Sequence, residues 1–163
     1  MKLLLIRHAI AMPSGTPGLA DDDRPLTSRG RARFRAAARG LARVLEPPDV
    51  LLTSPLPRAR ATAEIAARAF GRVEPVDERV LAHGDVDAIL ALLGRQRAGT
   101  VALVGHEPAL SLLLARLLGS RLGERFAFKK GGAALVDLPG GPAAGGRLIW
   151  FLKPRILRTL GDS

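Results

Sequence analysis

The sequence predicts an α/β fold with three layers, α/β/α, in which helices cover both faces of a mainly parallel, mixed sheet. Three apolar runs, at residues 2–7, 49–53 and 100–104, lack the polar alternation of a half-exposed strand and are typical of strands buried on both faces. Segments with helical patterning separate these runs along the chain. Strands that alternate with helices in this way favour a parallel sheet.

The first half of the chain is predicted to form two strand–helix units. Thr27 or Ser28 can cap the first helix, and two prolines follow its end. Several prolines and glycines make the segment before this helix a loop. In chain order, the elements are a strand at 2–7, a loop at 9–27, a helix from its cap to about Leu45, a strand at 49–53, and a helix opened by Ser54-Pro55 that ends near Phe70.

The second half is predicted to add one more parallel strand and a closing hairpin. The stretch PGGPAAGG is typical of a flexible turn between the last two strands. We find no internal repeat and no interdomain linker, so residues 1–163 are assigned to a single domain. In chain order, the elements are weaker extended segments at 73–76 and 79–82, a helix at 85–93, a strand at 100–104, a helix opened by Glu107-Pro108 and running to about Leu118, and strands at 132–138 and 147–152.

The composition excludes several classes of chemistry. The chain has no cysteine, which rules out disulfides, cysteine-ligated zinc, iron–sulfur clusters and every enzyme with a cysteine nucleophile. No apolar run approaches the ~20 residues of a membrane span, and no signal-peptide cleavage site follows the first apolar segment. We therefore expect a cytoplasmic protein that does not contact a membrane.

The chain is strongly basic, with a net charge of +10 and a pI of about 11.5. Such a charge is compatible with nucleic acid, anionic membranes or phosphorylated partners. Only 4 of the 25 cationic residues are lysine, so a codon bias toward G and C explains the arginine content at least as well as selection for charge. With five phenylalanines, one tryptophan and no tyrosine, the chain has few side chains for stacking on bases, which makes nucleic acid an unfavoured partner.

Two histidines occupy equivalent positions after predicted strands. His8 follows the first apolar run, and His106 follows the run that ends at residue 104. Because ligands of open α/β sheets bind beyond the carboxyl ends of the strands, both imidazoles are expected at the edge where such folds build their sites. One histidine at a strand end is usually structural, and it is the pair that favours a catalytic role.

Two arginines and a serine are expected at the same edge. Arg7 precedes His8, Ser54 follows the second strand, and Arg58 lies in the first turn of the next helix. Guanidinium groups bind phosphate oxygens in a bidentate manner and stay charged, and helix N-termini add backbone N–H donors. Any one of so many arginines could be an ordinary surface charge, but the combination indicates a phosphate site.

Four short motifs occur in the order and spacing of a known family: LLLIRHA, DRPLTSRG, TSPLPRARATAE and LVGHEP. The series resembles the histidine phosphatase superfamily, whose members have the phosphoglycerate-mutase-like fold. The closing segment RLIWFLKPRIL resembles the end of its small SixA-type phosphohistidine phosphatases. The resemblance runs from Lys2 to Leu157, and the length of the chain leaves no room for the helical insertion that covers the active site in larger members.

The resemblance implies a role for each residue of the phosphate site. His8 would be the nucleophile that becomes transiently phosphorylated, and Arg7, Arg58 and His106 would hold the phosphoryl oxygens. Phosphoryl transfer needs mainly positioning and charge stabilisation, which cationic side chains supply, so neither a metal ion nor another cofactor is expected.

Other positions complete the expected site. Larger relatives protonate the leaving group with a carboxylate, and among the acidic residues of DERVLAHGDVDAIL we choose Asp85 by its position in the motif order, with a helix N-cap as the alternative explanation. Ser54 and Arg24 are candidates for substrate binding. The third residue of the Arg-His-Gly signature is Ala9 here, so a methyl group must fit beside the phosphate.

We therefore predict a metal-independent phosphatase that hydrolyses protein phosphohistidine through a phosphorylated His8. An imidazole leaving group is more easily protonated than an alkoxide, which favours this substrate where no clear acid is evident. The expected partner is a phosphohistidine-bearing protein domain, and the enzyme is expected to be a monomer. The alternatives are a small-molecule phosphomonoesterase of the same fold and a basic module that binds through the arginine-rich helix 29–43.

Overall fold

Six strands form one sheet in the computed structural model, which describes residues 1–71 and 73–163. The strands are β1 (Lys2–Arg7), β2 (Val50–Thr53), β3 (Pro75–Asp77), β4 (Thr100–Gly105), β5 (Ala133–Asp137) and β6 (Arg147–Leu152). Their order across the sheet is β3-β2-β4-β1-β5-β6. Strands β1 to β4 are parallel, whereas β5 runs antiparallel to β1 and forms an antiparallel hairpin with β6. The prediction of a mainly parallel, mixed sheet is confirmed.

The side chains of β1 point alternately to the two faces of the sheet. Leu3 and Leu5 lie in one hydrophobic cluster, Leu4 and Ile6 lie in the other, and none of the four is exposed to solvent. A strand that is buried on both faces needs apolar residues at every position, which explains the unbroken run LLLI. Burial of each such side chain contributes roughly 1.5–3 kcal/mol to folding.

Helices cover both faces and complete the three layers. The helices on the face of Leu4 and Ile6 are α1 (Ser28–Val44), α2 (Pro57–Phe70) and α6 (Pro154–Asp162). The helices on the face of Leu3 and Leu5 are α3 (Val80–His83), α4 (Val86–Gly94) and α5 (Ala109–Leu117). Between β1 and α1 the chain adds a 3-10 turn at Asp21–Asp23, and further short 3-10 turns lie at Gly123–Phe126 and Pro142–Ala144. None of the described helices has the length and apolar character needed to cross a membrane.

Two predicted elements differ from the observed ones. Residues 79–82 were expected to be extended, but the chain forms the short helix α3 there and buries Leu81 in the core. The helix expected to open at Ser54-Pro55 begins at Pro57. Its start is delayed because Ser54 still belongs to the edge of the sheet, where its N–H donates to the carbonyl of Val104 at 3.0 Å.

The C-terminal helix α6 was not predicted, and it packs directly on α1. A Cβ atom on Gly40 would collide with the carbonyl group of Leu157, and one on Gly161 would collide with the carbonyl group of Ala36. Glycine at these two positions lets the backbones of the two helices approach closely. Close packing against α1, rather than a long periodic pattern of its own, stabilises this nine-residue helix.

Replacement of Gly40 by alanine tests this packing. We expect Gly40→Ala to lower the free energy of unfolding by about 1–3 kcal/mol, because the added methyl group forces α6 away from α1. Gly94→Ala in α4 is the matched control, since no atom lies within 4 Å of the added Cβ and alanine is favoured over glycine inside a helix by about 0.5–1 kcal/mol. Urea denaturation measures both changes, and a Gly40→Ala protein as stable as the parent would contradict the close contact.

Candidate functional site

Four strands deliver the predicted site to one edge of the sheet. Beyond β1, the N–H of His8 donates to the carbonyl of Gly105 at 3.0 Å, so the residues that follow β1 and β4 lie side by side. Beyond β2, Ser54 is hydrogen-bonded to β4, and the N–H of Glu78 after β3 donates to the carbonyl of Thr53 at 2.8 Å. The register of the parallel strands therefore brings the polar residues at their carboxyl ends together, as the sequence predicted.

His8 is oriented by a hydrogen bond to the next residue. Its ring is 5% exposed, and its Nδ1 lies 2.7 Å from the carbonyl oxygen of Ala9. A carbonyl oxygen can only accept, so Nδ1 carries the proton and the lone pair of a neutral ring is on Nε2. The ring centre lies 5.1 Å from that of His106, with the two planes inclined by 53°.

Burial keeps His8 neutral. Desolvation lowers its pKa to about 3, against an upward effect of the bond to Ala9, and the nearby charges of His106, Arg58 and Arg7 lower the pKa further. At neutral pH the imidazole is therefore neutral, with its proton on Nδ1 and Nε2 available as a nucleophile.

His106 is held by Ser54. Its Nε2 lies 2.8 Å from the Ser54 hydroxyl oxygen, which also accepts from the N–H of Leu56 at 3.2 Å. Burial lowers the pKa of His106 to about 4, and Arg58, Arg7 and Arg24 add to the decrease. A neutral ring that accepts the Ser54 proton at Nε2 carries its own proton on Nδ1. Ser54 has no exposed surface, so it acts on a ligand through His106.

Arg7 is fixed through a chain of hydrogen bonds that begins on α5. Its Nη1 donates to the carbonyl of Phe128 at 2.6 Å, and the N–H of Phe128 donates to the Glu107 carboxylate at 3.0 Å. The hydroxyl of Ser111 donates to the other oxygen of Glu107 at 2.5 Å. Burial lowers the pKa of Arg7, and the charge of Glu107 opposes this decrease. Glu107 therefore positions Arg7 and supplies a nearby negative charge.

Arg58 is almost completely buried at the start of α2. Its side chain is held by the 3-10 turn, where Nη1 donates to the carbonyls of Asp21 and Asp22 at 3.0 and 3.4 Å. Burial and the charge of Arg24 lower its pKa. Arg24 joins this cluster, because its Nε donates to the Asp21 carboxylate at 2.9 Å and its Nη1 to the carbonyl of Met12 at 2.8 Å.

Three buried nitrogen atoms of the site lack a hydrogen-bond partner among the described residues. In the described part of the chain, three buried side-chain nitrogens or oxygens have no hydrogen-bond partner: Nε of Arg7, Nε of Arg58 and Nδ1 of His106. Two belong to guanidinium groups, and the third is the N–H assigned above. A buried donor without a partner is costly, and all three belong to residues that the sequence assigned to the phosphate site. The described part of the chain contains no cluster of three acidic, histidine or cysteine side chains that could hold a metal ion.

Ala9 fits the position that is usually glycine. Its N–H donates to the Thr62 hydroxyl at 3.0 Å, and Thr62 donates to the carbonyl of Arg58 at 2.7 Å. No described residue other than glycine has a positive φ, so the backbone at Ala9 tolerates a side chain. Its methyl group is buried in the hydrophobic core, so the fold accommodates the methyl group that this chain has in place of the usual glycine.

Asp85 caps a helix, the alternative that the sequence had left open. Its carboxylate accepts from the N–H groups of Asp87 and Ala88 at 3.0 and 3.1 Å at the start of α4, and the residue is exposed. Glu78, in contrast, is partly buried and directly follows β3 at the site edge. No observed contact joins either carboxylate to His8, so the identity of the acid stays a prediction.

Sequence reasoning missed the residues that hold the site residues in place. Thr62 accepts a hydrogen bond from the N–H of Ala9, and Asp21 accepts hydrogen bonds from Arg24 and Arg58. The sequence had explained Glu107 only by its favourable place at a helix start. These roles depend on contacts between distant segments, such as the 21 residues that separate Glu107 from Phe128. Only the position of Glu107 next to His106 offered a signal, and a carboxylate is favourable at a helix start for other reasons.

Comparisons with known proteins agree with this geometry. The model of the histidine phosphatase superfamily (branch 1) matches residues 3–83. An uncharacterised protein of Picosynechococcus sp. is 36% identical over 147 residues, which are 88% of this chain and 87% of that protein. The chain therefore belongs to the histidine phosphatase superfamily, and this membership together with the two SixA structures that follow supports phosphatase activity.

Two solved structures are similar along nearly their whole length. The "putative phosphohistidine phosphatase SixA" of Agrobacterium tumefaciens has a TM-score of 0.79 and 30% identity, covering 94% of this chain and 97% of that one. A protein histidine phosphatase SixA complexed with tungstate has a TM-score of 0.82 and 25% identity, covering 96% and 99%. The fold is thus the phosphoglycerate-mutase-like α/β/α fold of the SixA structures.

The low pKa of His8 makes stability depend on pH. The pKa is about 3 in the folded protein and 6.5 for an ordinary histidine, so between these values the unfolded chain binds more protons. The free energy of unfolding must therefore fall as pH falls below about 6.5. From pH 6.5 to 5, without phosphate or other oxyanions, we expect His8 to account for a loss of about 1–2 kcal/mol. Denaturant titrations at each pH should show a shallower dependence for His8→Gln, and identical curves would contradict a neutral buried His8.

Replacement of Arg58 by lysine tests whether activity needs the several N–H donors of the planar guanidinium group. Lysine keeps the charge but cannot bind the carbonyls of the 3-10 turn and an oxyanion at once. We expect kcat/KM to fall about a hundredfold, or ~3 kcal/mol, with p-nitrophenyl phosphate as substrate. Arg60→Lys is the control, because Arg60 pairs with Glu64 and Asp77 on a more exposed part of the same helix. Arg58→Lys activity within twofold of the control would place Arg58 outside the site.

Proposed function

We propose that this protein hydrolyses phosphohistidine on other proteins through a phosphoryl intermediate on His8. The observation that carries the proposal is the arrangement around His8: a neutral imidazole with its lone pair on Nε2, flanked by the unpartnered donors of Arg7, Arg58 and His106. A nucleophile among cationic and neutral donors suits a substrate whose reacting group is an anion. The complex of a similar SixA protein with tungstate, a tetrahedral oxyanion like phosphate, supports this reading.

In the first step, Nε2 of His8 attacks the phosphorus atom of the substrate. A new P–N bond forms at His8 while the P–N bond to the substrate imidazole breaks, and the leaving nitrogen keeps the electron pair and takes up a proton from a carboxylic acid of the protein. Arg7, Arg58 and His106 donate hydrogen bonds to the three phosphoryl oxygens, whose charge the guanidinium groups offset. The bond from Nδ1 to the Ala9 carbonyl stabilises the positive charge that develops on the ring.

In the second step, water attacks the phosphorus atom of phosphorylated His8. The P–N bond to Nε2 breaks, inorganic phosphate leaves, and His8 returns to its neutral form, while the acid of the first step accepts the proton from water. We keep Asp85 as the proposed acid, with Glu78 as its competitor. An imidazole leaving group makes the first step less dependent on this acid than it would be for an alkyl phosphate, whereas the second step is the same for both substrates.

Two observations favour a protein substrate over a small molecule: the elements that surround the site edge of the sheet, and the names of the similar SixA proteins. Apart from short 3-10 turns, the described helices are those that cover the two faces of the sheet, so we infer that a side chain presented by a folded protein can reach the edge. Small ligands gain most of their binding energy from enclosure. The two SixA proteins are named for phosphohistidine or protein histidine substrates.

A small-molecule phosphomonoesterase is the second candidate. A structure from Escherichia coli named for α-ribazole-5'-phosphate has a TM-score of 0.73 at 22% identity, which shows a shared fold. The two candidates have the same nucleophile and differ in what surrounds the phosphoryl group, so substrate comparison separates them.

Replacement of His8 by alanine tests the intermediate. We expect His8→Ala to lose turnover and the acid-labile phosphoenzyme that the parent forms with a phosphohistidine protein, because the variant lacks the imidazole nitrogen that we propose to accept the phosphoryl group. His83→Ala is the matched control, since that histidine is exposed at the end of α3. Rapid quench with radiolabelled substrate measures the intermediate, and a labelled His8→Ala protein would overturn the assignment.

Comparison of substrates tests the specificity. We expect kcat/KM for a phosphohistidine-bearing protein to exceed that for small phosphomonoesters by at least about tenfold, or ~1.4 kcal/mol. The preference should shrink as ionic strength rises, because the basic surface attracts an acidic partner. Equal or better efficiency on a nucleotide or sugar phosphate, unaffected by salt, would favour the small-molecule candidate.

A further inference from the structure

Four basic side chains from three segments gather beside the site: Arg29 and Arg33 on α1, Lys130 before β5, and Arg158 on α6. Arg33, Lys130 and Arg158 line one small depression, together with Ala9 and Gly131. We call these four residues the basic patch. None of them forms an ion pair with a described acidic residue.

The patch is tied to the nucleophile through the backbone. The N–H of Gly131 lies 3.1 Å from the carbonyl oxygens of both Arg7 and His8, so Lys130 is one residue from a direct contact with the His8 main chain. On the other side, Gly30 packs so tightly on the carbonyl of Ile10 that a Cβ atom would collide with it. Arg29 is therefore adjacent to the residue that contacts Ile10, which lies two positions after His8.

The charges of the patch repel one another. Repulsion from Arg29, with desolvation and repulsion from Arg158, lowers the pKa of Arg33. Arg29 and Arg33 are like charges at i and i+4, and they lie at the start of a helix whose first turn has no acidic residue, where cations oppose the helix dipole. A positive cluster at this place costs stability in the isolated protein, and a negatively charged surface docked on it would relieve that cost.

We propose that the basic patch docks an acidic surface next to the phosphohistidine of the protein substrate. This inference rests on the proposed function and adds to it the face by which the partner is held. A protein partner is favoured over nucleic acid because the Asp21–Asp23 turn, which holds Arg58 on another side of the site, would repel a uniformly anionic polymer crossing the edge. A folded partner can place acidic residues against the patch and keep them away from the turn.

The double variant Arg33→Glu/Arg158→Glu tests the patch, and Arg35→Glu/Arg68→Glu is the matched control. Arg35 and Arg68 are exposed on the outer side of α1 and α2, in a depression that contains no site residue, and the net charge changes equally in both variants. The substrates are an acidic helical domain with one histidine phosphorylated by phosphoramidate, the same domain with the acidic residues around that histidine changed to amides, and free phosphohistidine. Circular dichroism establishes that both variants are folded.

We expect the patch variant to lose at least tenfold in kcat/KM on the acidic domain at low salt, and the control variant no more than about threefold. Activity on free phosphohistidine and on the neutralised domain should stay within twofold of the parent for both variants. Equal losses in the two variants, or no loss in the patch variant, would overturn the docking site. Binding of a fluorescent DNA duplex that depends on the patch, with unchanged kcat/KM on the acidic domain, would also overturn it. Failure of the proposed function is distinct, because the parent would then be inactive on all three substrates.

Discussion

The 2.7 Å hydrogen bond from His8 Nδ1 to the carbonyl oxygen of Ala9 is the contact on which the chemistry of this edge depends. It assigns the proton to one ring nitrogen and leaves the lone pair on the other, which we propose as the nucleophile. The carbonyl can hold this place because the peptide of Ala9 is itself fixed, through Thr62, to the helix that carries Arg58. One short segment therefore orients the His8 ring and links it to Arg58, which we propose to hold a phosphoryl oxygen.

The electrostatics of the site follow from burial. Desolvation keeps both histidines neutral, and the arginines stay charged because their ordinary pKa values are so much higher. The result is a concentrated positive charge with free N–H donors and a neutral nucleophile. Two carboxylates at the site position its arginines: Glu107 acts on Arg7 through the backbone of Phe128, and Asp21 pairs directly with Arg24. They orient the cations without occupying the unpartnered donors.

Much of the fold and the centre of the site were predictable because they depend on local patterns. The unbroken apolar runs identified β1, β2 and β4, and residues at their carboxyl ends had to meet once these strands were parallel. The short helix α3 and the helix α6 were not predicted, because each is stabilised by packing between distant segments, at Leu81 and at Gly40 respectively. The positioning role of Glu107 was missed for the same reason, since it exists only when β5 brings residue 128 against the start of α5.

The position of the phosphoryl group on His8 tests the account most directly. Phosphoenzyme trapped from a phosphohistidine substrate, with ¹⁵N-labelled histidine, can be examined by NMR for the nitrogen that is coupled to phosphorus. The hydrogen bond at Nδ1 predicts a P–N bond at Nε2 of His8, with Nδ1 still protonated. A phosphoryl group on Nδ1 of His8, or on another residue, would contradict the account.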